Sequence, residues 1–193
     1  LAGGRRLGVI YTIGPYLLPR LVTLLRERAP NMPLVIQENF TVRLVEALKR
    51  GDLDLIVIAL PHEEPSLAAQ PVYDETFRAL VPVGHPWTRE KEIDPVMLLD
   101  EPLLMLGAGN CFRDQVLDLC AHAAQATHAT HATHSSTGKV PKLLEGGSLE
   151  TIRYMVAGGI GVTVMPASAV DNLASNDPLL RALPFSPPDP VRR

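Results

Sequence analysis

The spacing of apolar positions in the first sixty residues changes repeatedly between that of a strand and that of a helix. Residues 7–11, 34–40 and 53–60 are short apolar runs, which predict three strands. Between them, residues 15–30 and 41–49 carry apolar side chains every three or four positions, which predicts two amphipathic helices. This alternating order predicts a parallel open sheet, because parallel neighbours need a crossover connection.

The same alternation returns after a proline-rich connection at residues 61–71. Further strands are predicted at residues 77–83, 103–106, 140–144, 160–165 and 179–185, and helices after residue 110, at 148–157 and at 167–173. The predicted fold class is therefore α/β, with two Rossmann-like open-sheet subdomains joined by two crossovers and a cleft between them. We expect the chain to pass from subdomain I to subdomain II near Asp74 and to return near Ala169. Subdomain I would then comprise residues 1–73 and 169–193, and subdomain II residues 74–168.

Polar side chains recur where a predicted strand gives way to a predicted helix. They are Thr12, Thr41, Asn110 followed by Cys111, and Ser148. In open α/β sheets ligands bind at this edge, and helix N-termini there offer N–H donors to an anion or a small polar molecule. Each residue is also an ordinary helix N-cap by type, so the pattern favours a ligand site in the cleft without requiring one.

The two cysteines, Cys111 and Cys120, lie nine positions apart in one predicted helix. Nine helical residues rise about 13 Å and turn through roughly half a revolution beyond two full turns. A disulfide needs Cα atoms within about 7 Å of each other, so the thiols can pair only if this helix unwinds. The loop closed by such a bond would be short and entropically easy to form.

The two thiols have different predicted environments. Asn110 is a good N-cap, which places Cys111 in the first helical turn, where unpaired N–H groups, the helix dipole and the nearby Arg113 favour a thiolate. Asp114 partly opposes this effect. Cys120 lies among apolar residues, which indicates a buried and unreactive thiol. This is the layout of a thiol switch with a resolving cysteine, and two ordinary core cysteines are the alternative.

Composition narrows the class of protein. The chain has 193 residues, of which 46% are hydrophobic and 20% are charged, and its net charge is -3. This length suffices for one large or two small globular domains. Without a basic stripe the chain alone is not expected to bind nucleic acid. Without an apolar run that could span a bilayer, and with only two cysteines, the sequence predicts a cytoplasmic protein with reduced thiols and no membrane partner.

A low-complexity tract follows the cysteine helix, with Thr-His pairs at residues 127–128, 130–131 and 133–134. Histidines at this spacing can bind a metal ion. However, no cysteine or carboxylate lies between them, and the tract has the composition of a solvated loop. We therefore predict no metal site and no cofactor for this chain.

Several segments resemble the regulatory domain of LysR-type transcriptional regulators. They are residues 148–166 (SLETIRYMVAGGIGVTVMP), residues 51–55 (GDLDL) and residues 84–86 (GHP). Residues 103–106 (LLML), residues 111–115 (CFRDQ) with Cys120, and residues 12–19 (TIGPYLLP) resemble the hydrogen-peroxide sensors of that family. The resemblance implies a periplasmic-binding-protein-like fold and a transcription regulator rather than an enzyme.

The resemblance also implies a role for each candidate residue. Cys111 matches the cysteine that hydrogen peroxide oxidises to a sulfenic acid, and Cys120 matches the cysteine that then forms the disulfide. The implied residues of the peroxide pocket and of the redox segment are Thr12, Thr41, Asn110, Arg113 and Asp114. At the position of Asn110 these sensors usually carry histidine, which is expected to alter the peroxide reactivity of the neighbouring cysteine.

The implied partners are hydrogen peroxide, further copies of the chain in a homodimer or tetramer, DNA, RNA polymerase and a thiol reductant of the glutaredoxin or thioredoxin type. DNA would be bound by an N-terminal winged helix-turn-helix domain that is absent from this sequence. The sequence also ends before the strand and helix that usually complete the first subdomain in this family.

Three other functions stay open. The chain is compatible with a LysR-type domain that binds a small organic anion in the cleft, with both cysteines structural. It is also compatible with a solute-binding protein of the same fold and with a thiol peroxidase. Thiols that do not react with peroxide would favour the first alternative, and steady peroxide turnover would favour the last. No C-x-x-C motif supports a disulfide oxidoreductase.

Overall fold

Strands and helices alternate along most of the chain and form two units in the computed structural model. The first unit comprises Leu1–Ala69 and the second Gln70–Arg193. The structure describes residues 4–130, 142–171 and 177–193, and of residues 127–130 it describes the backbone only. Within these ranges, no helix is both long enough and apolar enough to cross a bilayer.

The first unit is the predicted strand–helix–strand–helix–strand arrangement. Its elements are β1 (Arg5–Ile10), α1 (Gly14–Arg28), β2 (Leu34–Asn39), α2 (Thr41–Lys49) and β3 (Leu55–Val57). The strands are parallel and lie in the order β2-β1-β3. Helix α2 packs closely on β1, where a Cβ on Gly8 would lie 2.7 Å from a methyl group of Leu44. A residue without a side chain is therefore needed at this contact.

The third strand is much shorter than predicted. The apolar run at residues 53–60 predicted a strand buried on both faces, but only Leu55–Val57 pair with β1. Leu55, the first residue of this strand, is 62% exposed. Leu53 and Ala59 are buried outside the strand. The run of apolar residues thus reflects burial in the unit rather than a long hydrogen-bonded ladder, because β3 lies at the edge of a three-stranded sheet.

The second unit is built on a larger, mixed sheet. Its elements are β4 (Glu75–Pro82), two 3₁₀ helices (Pro86–Arg89 and Pro95–Asp100), β5 (Leu103–Leu106), α3 (Cys111–Thr130), β6 (Leu143–Gly146), α4 (Leu149–Ala157), β7 (Val162–Pro166), α5 (Ala167–Val170), β8 (Leu180–Pro184) and β9 (Val191–Arg192). The strand order is β6-β5-β7-β4-β8, and β9 also pairs with β4. Strand β5 runs parallel to β6 and β7, whereas β4 is antiparallel to β7, β8 and β9.

The assignment of residues 169–193 to the first subdomain is wrong. Strand β8 pairs with β4 from Arg78 opposite Pro184 to Pro82 opposite Leu180, and β9 pairs with the start of β4. These antiparallel ladders hold the end of the chain in the second unit, so the described residues pass between the units once, near residue 70, rather than twice. The strand at residues 179–185 was predicted correctly, but its partner could not be identified from its own sequence.

A buried ion pair joins four elements of the second unit. The guanidinium of Arg192 in β9 donates from Nε and Nη2 to Oε2 of Glu75 in β4, over 2.8 and 2.6 Å. The other carboxylate oxygen of Glu75 accepts a 2.9 Å hydrogen bond from the backbone N–H of Ser168 in α5. The same guanidinium lies 5.3 Å from the ring centroid of Phe112 in α3. The side chains of the pair are only 2% and 5% exposed, so each charge depends on the other for solvation.

We predict that replacing Arg192 with alanine strongly destabilises the second unit. The substitution leaves the Glu75 carboxylate buried without its cation, which costs about 3–5 kcal/mol in unfolding free energy for buried pairs of this kind. The measurement is chemical denaturation followed by circular dichroism. The neighbouring Arg193 provides the control, because it forms an exposed pair with Asp74 and its replacement should leave the unfolding free energy nearly unchanged. Equal losses for both variants would contradict this account.

Candidate functional site

Both cysteines lie on helix α3, as the sequence predicted. Cys111 is the first residue of a single helix that runs 20 residues to Thr130, and Cys120 lies in its middle. Both thiols are free. Over nine residues the helix rises about 13 Å and places the two side chains on opposite faces. The disulfide is therefore excluded while α3 is intact, since its Cα atoms would need to lie within about 7 Å.

The start of α3 is determined by a turn at residues 107–110. Gly109 has a positive φ of 91°, a backbone conformation that favours glycine. The side-chain amide of Asn110 donates a 3.0 Å hydrogen bond to the carbonyl of Gly107, and the carbonyl of Asn110 accepts a 3.0 Å bond from the N–H of Arg113. Asn110 therefore precedes the first helical residue, as predicted, and its side chain fixes the turn that delivers Cys111 to the helix N-terminus.

Helix α3 buries one face along its length. The buried side chains on that face are those of Phe112, Val116, Cys120 and Ala123, each at most 6% exposed. Their spacing of three or four residues is that of an amphipathic helix. Phe112 packs edge-on against Phe77 of β4, with ring centroids 5.1 Å apart. Cys120 thus belongs to the core, whereas Cys111, about two and a half turns away and on the opposite face, is partly exposed.

Burial determines the chemistry of Cys120. Desolvation raises the pKa of its thiol to about 11, above the ordinary value of 9.0. At neutral pH this sulfur is therefore a protonated and weakly nucleophilic thiol. This environment agrees with the prediction that Cys120 is unreactive while the helix is intact. An accessible cysteine at the helix start and a buried one in its middle are the two environments expected of a thiol switch.

Arg113 connects the first turn of α3 to the strands beside it. Its Nη1 donates a 2.8 Å hydrogen bond to the carbonyl of Leu106, the last residue of β5, and lies 2.6 Å from Oε1 of Glu145 in β6. Leu106 pairs with Gly146 and Met105 pairs with Glu145, so both acceptors lie at neighbouring strand ends. Asp114, also in the first turn, is exposed.

Thr12 and Thr41 belong to the first unit. Thr12 follows β1 and is 3% exposed. Thr41 is the first residue of α2, and its hydroxyl oxygen is buried without a hydrogen-bond partner among the described residues. The prediction that Thr41 caps α2 is wrong, because the N-cap position is Phe40, and the N-cap of α1 is Ile13 rather than Thr12. The hydroxyl of Ser148, by contrast, caps α4 by accepting a 3.1 Å bond from the N–H of Thr151.

The predicted site residues therefore fall into two groups. The structure brings Asn110, Cys111, Arg113 and Asp114 together at the start of α3, with Cys120 further along the same helix. Thr12 and Thr41 form the group in the first unit.

Sequence reasoning missed three residues whose contacts hold the first turn of α3, either directly or through one another. Glu145 follows an apolar pair and precedes the cap of α4, so its place at the end of a strand was a usable signal. The strand had instead been predicted to end at residue 144. No comparable signal pointed to Glu75 and Arg192, which are 117 positions apart.

The Thr-His tract is only partly described. Its first residues, up to Thr130, continue helix α3 rather than forming the predicted loop, and residues 131–134 lie outside the described residues. Within the described ranges there is no group of three or more histidine, cysteine, aspartate or glutamate side chains that could hold a metal ion.

A family model for the LysR substrate binding domain matches residues 1–193. The chain belongs to this family. The periplasmic-binding-protein-like α/β fold class predicted from the sequence is thereby confirmed, although the described part of the chain crosses between the units once. The LysR resemblance of the three sequence segments is confirmed by the same match.

Individual relatives narrow the comparison. A probable hydrogen peroxide-inducible genes activator of Mycobacterium avium is 39% identical over 193 residues, which cover 100% of this chain and 58% of that protein. The reduced OxyR regulatory domain of Pseudomonas aeruginosa has a TM-score of 0.84 and 46% identity, covering 100% of this chain and 84% of that one. A hydrogen-peroxide-bound mutant of Corynebacterium glutamicum OxyR has a TM-score of 0.84 and 30% identity, covering 100% of this chain and 57% of that one. The chain thus spans less than two thirds of the mycobacterial relative.

The burial of Cys120 generates a prediction about alkylation. At pH 7 a thiol with a pKa of about 11 is almost wholly protonated, and Cys120 is also buried, whereas Cys111 is partly exposed. Brief treatment of the native protein with iodoacetamide should therefore modify Cys111 and leave Cys120 largely free, as measured by peptide mass spectrometry. Labelling of Cys120 should rise about tenfold per pH unit up to about pH 11. In denaturant both thiols should react alike; equal labelling of the native protein at pH 7 would contradict the assignment.

Proposed function

We propose that this chain is the regulatory domain of a LysR-type transcription factor that senses hydrogen peroxide through a reversible disulfide between Cys111 and Cys120. One observation carries the proposal: a single helix holds a partly exposed cysteine at its start and a buried cysteine on its opposite face. The mycobacterial relative is named a probable activator of hydrogen peroxide-inducible genes, and OxyR regulatory domains share the fold, which supports this proposal.

The chemistry requires two steps. The sulfur of the Cys111 thiolate attacks one oxygen of hydrogen peroxide; an S–O bond forms, the O–O bond breaks, and hydroxide leaves and takes up a proton to become water. The sulfur of Cys120 then attacks the sulfenic acid; the S–S bond forms, the S–O bond breaks, and a second water leaves with the Cys120 proton. Two thiols and one peroxide thus become one disulfide and two waters. A dithiol reductant of the glutaredoxin or thioredoxin type returns the two electrons.

The second step changes the fold around α3. Because the intact helix holds the sulfurs on opposite faces, the disulfide forms only after the segment between them unwinds. Unwinding removes Phe112 and Val116 from the positions that they occupy in the core. We propose that the exposed surface changes accordingly, and that this change alters how copies of the chain associate in a dimer or tetramer. The new association would in turn change how a winged helix-turn-helix domain of the longer protein binds DNA and contacts RNA polymerase.

Residues that bind peroxide belong to the same proposal. We assign this role to Thr12 and Thr41 of the first unit and to Asn110, Arg113 and Asp114 of the second. The buried hydroxyl of Thr41 supports its assignment, since it has no hydrogen-bond partner in the described part of the chain and is free to bond a small polar ligand. N–H donors at the start of α3 would stabilise the oxygen that leaves as the peroxide bond breaks.

The proposed switch also has requirements outside the domain. Since each peroxide consumed leaves one disulfide, the protein acts as a stoichiometric regulator and not as an enzyme. A reversible disulfide needs a compartment in which thiols are kept reduced, so we place the protein in the cytoplasm.

The direct test is intact mass measurement with thiol mapping before and after one equivalent of hydrogen peroxide. We expect the loss of two hydrogens and a cross-linked peptide that contains Cys111 and Cys120. Cys111→Ser should abolish the response, whereas Cys120→Ser should stop at a sulfenic acid that dimedone can trap. If both thiols of the wild type stay free after peroxide treatment, the proposal is wrong, and a domain that binds a small organic anion is favoured. A response that persists in Cys111→Ser would show that the two roles are wrongly assigned.

Thr41 allows a separate test of peroxide binding. Replacing it with the nearly isosteric valine removes a hydroxyl that has no described partner, so the unfolding free energy should not fall. If the hydroxyl binds peroxide, the rate of Cys111 oxidation should drop about threefold to tenfold, the value of one hydrogen bond. The rate is measured by stopped-flow or by quenched labelling.

The matched control for this test is Thr23→Val, which removes a hydroxyl that bonds the carbonyl of Pro19 on α1. It should leave the oxidation rate unchanged. Identical rates in Thr41→Val and the wild type would exclude Thr41 from the residues proposed to bind peroxide.

A further inference from the structure

We infer that Glu145 is a positioning residue of the switch: through Arg113 it holds the first turn of α3 in place and opposes formation of the disulfide. The inference rests on the proposed function and adds to it a residue outside the predicted redox segment. It starts from the guanidinium of Arg113, whose Nη1 is shared between the Leu106 carbonyl at 2.8 Å and the Glu145 carboxylate at 2.6 Å.

The contact connects a helix to a strand that is remote in sequence. Arg113 lies in the first turn of α3, two positions after Cys111, whereas Glu145 lies in β6, 32 positions further along. The strand itself is fixed, because Glu145 pairs with Met105 and Gly146 pairs with Leu106 in the parallel ladder of β5 and β6. The carboxylate is therefore presented from the sheet, and the partner that must move for the disulfide to form is the helical turn that carries Cys111.

Burial makes the carboxylate matter to Arg113. The side chain of Arg113 is 18% exposed, while that of Glu145 is 57% exposed. A largely covered guanidinium needs an acceptor and a counter-charge at its place in the fold, and Leu106 supplies only a neutral carbonyl. Among the residues that the structure describes, Glu145 supplies the charge, so removing it weakens the anchor without opening a cavity in the core.

Disulfide formation must disrupt this contact. Cys120 lies in the middle of α3 and packs in the core with Phe112 and Val116, whereas Cys111 is at the helix end, where unwinding costs least. To close about 13 Å to less than 7 Å, the helix must therefore open from the Cys111 end. Arg113 lies in the part that opens, so its bonds to Leu106 and Glu145 belong to the reduced form.

The consequence is a shift in redox equilibrium. A contact that exists only in the dithiol form stabilises that form, and it therefore raises the reduction potential of the disulfide. Glu145→Gln keeps the size of the side chain and removes its charge. We expect the equilibrium to move about threefold toward the disulfide, a value in the range of partly exposed ion pairs. At about 30 mV per tenfold for a two-electron couple, the midpoint potential falls by about 14 mV.

The experiment titrates the chain in dithiothreitol or glutathione redox buffers and counts free thiols by mass spectrometry. Glu46→Gln is the matched control, because Glu46 is a similarly exposed glutamate, 45%, that pairs with Arg43 over 3.2 Å in the first unit. We expect the control to keep the wild-type midpoint potential. Glu145→Asp, which keeps the charge, should lie between the wild type and Glu145→Gln.

The potential separates a positioning role from a structural one. A purely structural contact would persist in both redox forms, so its loss would lower the unfolding free energy of each form and leave the midpoint potential unchanged. A wild-type potential in Glu145→Gln would therefore overturn this inference while the switch itself remained. A wild-type chain that forms no disulfide would overturn the proposed function, and this inference with it.

Discussion

One uninterrupted helix between two cysteines is the constraint on which the rest of this structure depends. While α3 is folded, helical geometry keeps the sulfurs of Cys111 and Cys120 on opposite faces, one partly exposed and one in the core. Chemistry at the first sulfur and bonding to the second are thus separated by a folding event. The proposed signal is therefore a local loss of structure that a covalent bond then retains, and it needs no bound effector to persist.

What holds that helix in place is spread over the second unit. On its core side, Phe112 contacts both the ring of Phe77 and the guanidinium of Arg192, and that guanidinium is paired with the buried carboxylate of Glu75. On its outer side, Arg113 is bonded to the ends of two strands. The buried pair is costly to break, whereas the outer contact is partly solvated and cheap. We therefore expect the core contacts to preserve the unit and the outer contacts to adjust how readily the first turn opens.

Most of this arrangement that is local in sequence could be predicted from the sequence. The strand–helix alternation, the single cysteine helix and the cap at Ser148 each follow from periodicity or residue type over a few positions. The errors share a different cause. The partner of β8, the shortness of β3 and the pairs formed by Glu75 and Glu145 are decided by residues that are distant in the chain, and burial there cannot be read from a local pattern.

The separation of the two cysteines along the chain determines the directions in which their side chains leave the helix, which residue type alone does not. A separation of seven would complete about two turns and direct both sulfurs to one side, where they would share a single environment. A separation of nine adds half a turn, so two chemically identical side chains receive opposite surroundings. Inserting or deleting one residue between them would rotate one sulfur by about 100° and leave the two only about 80° apart around the helix, so their surroundings would differ less. Counting along the backbone thus decides which of the two sulfurs an oxidant from solution can reach.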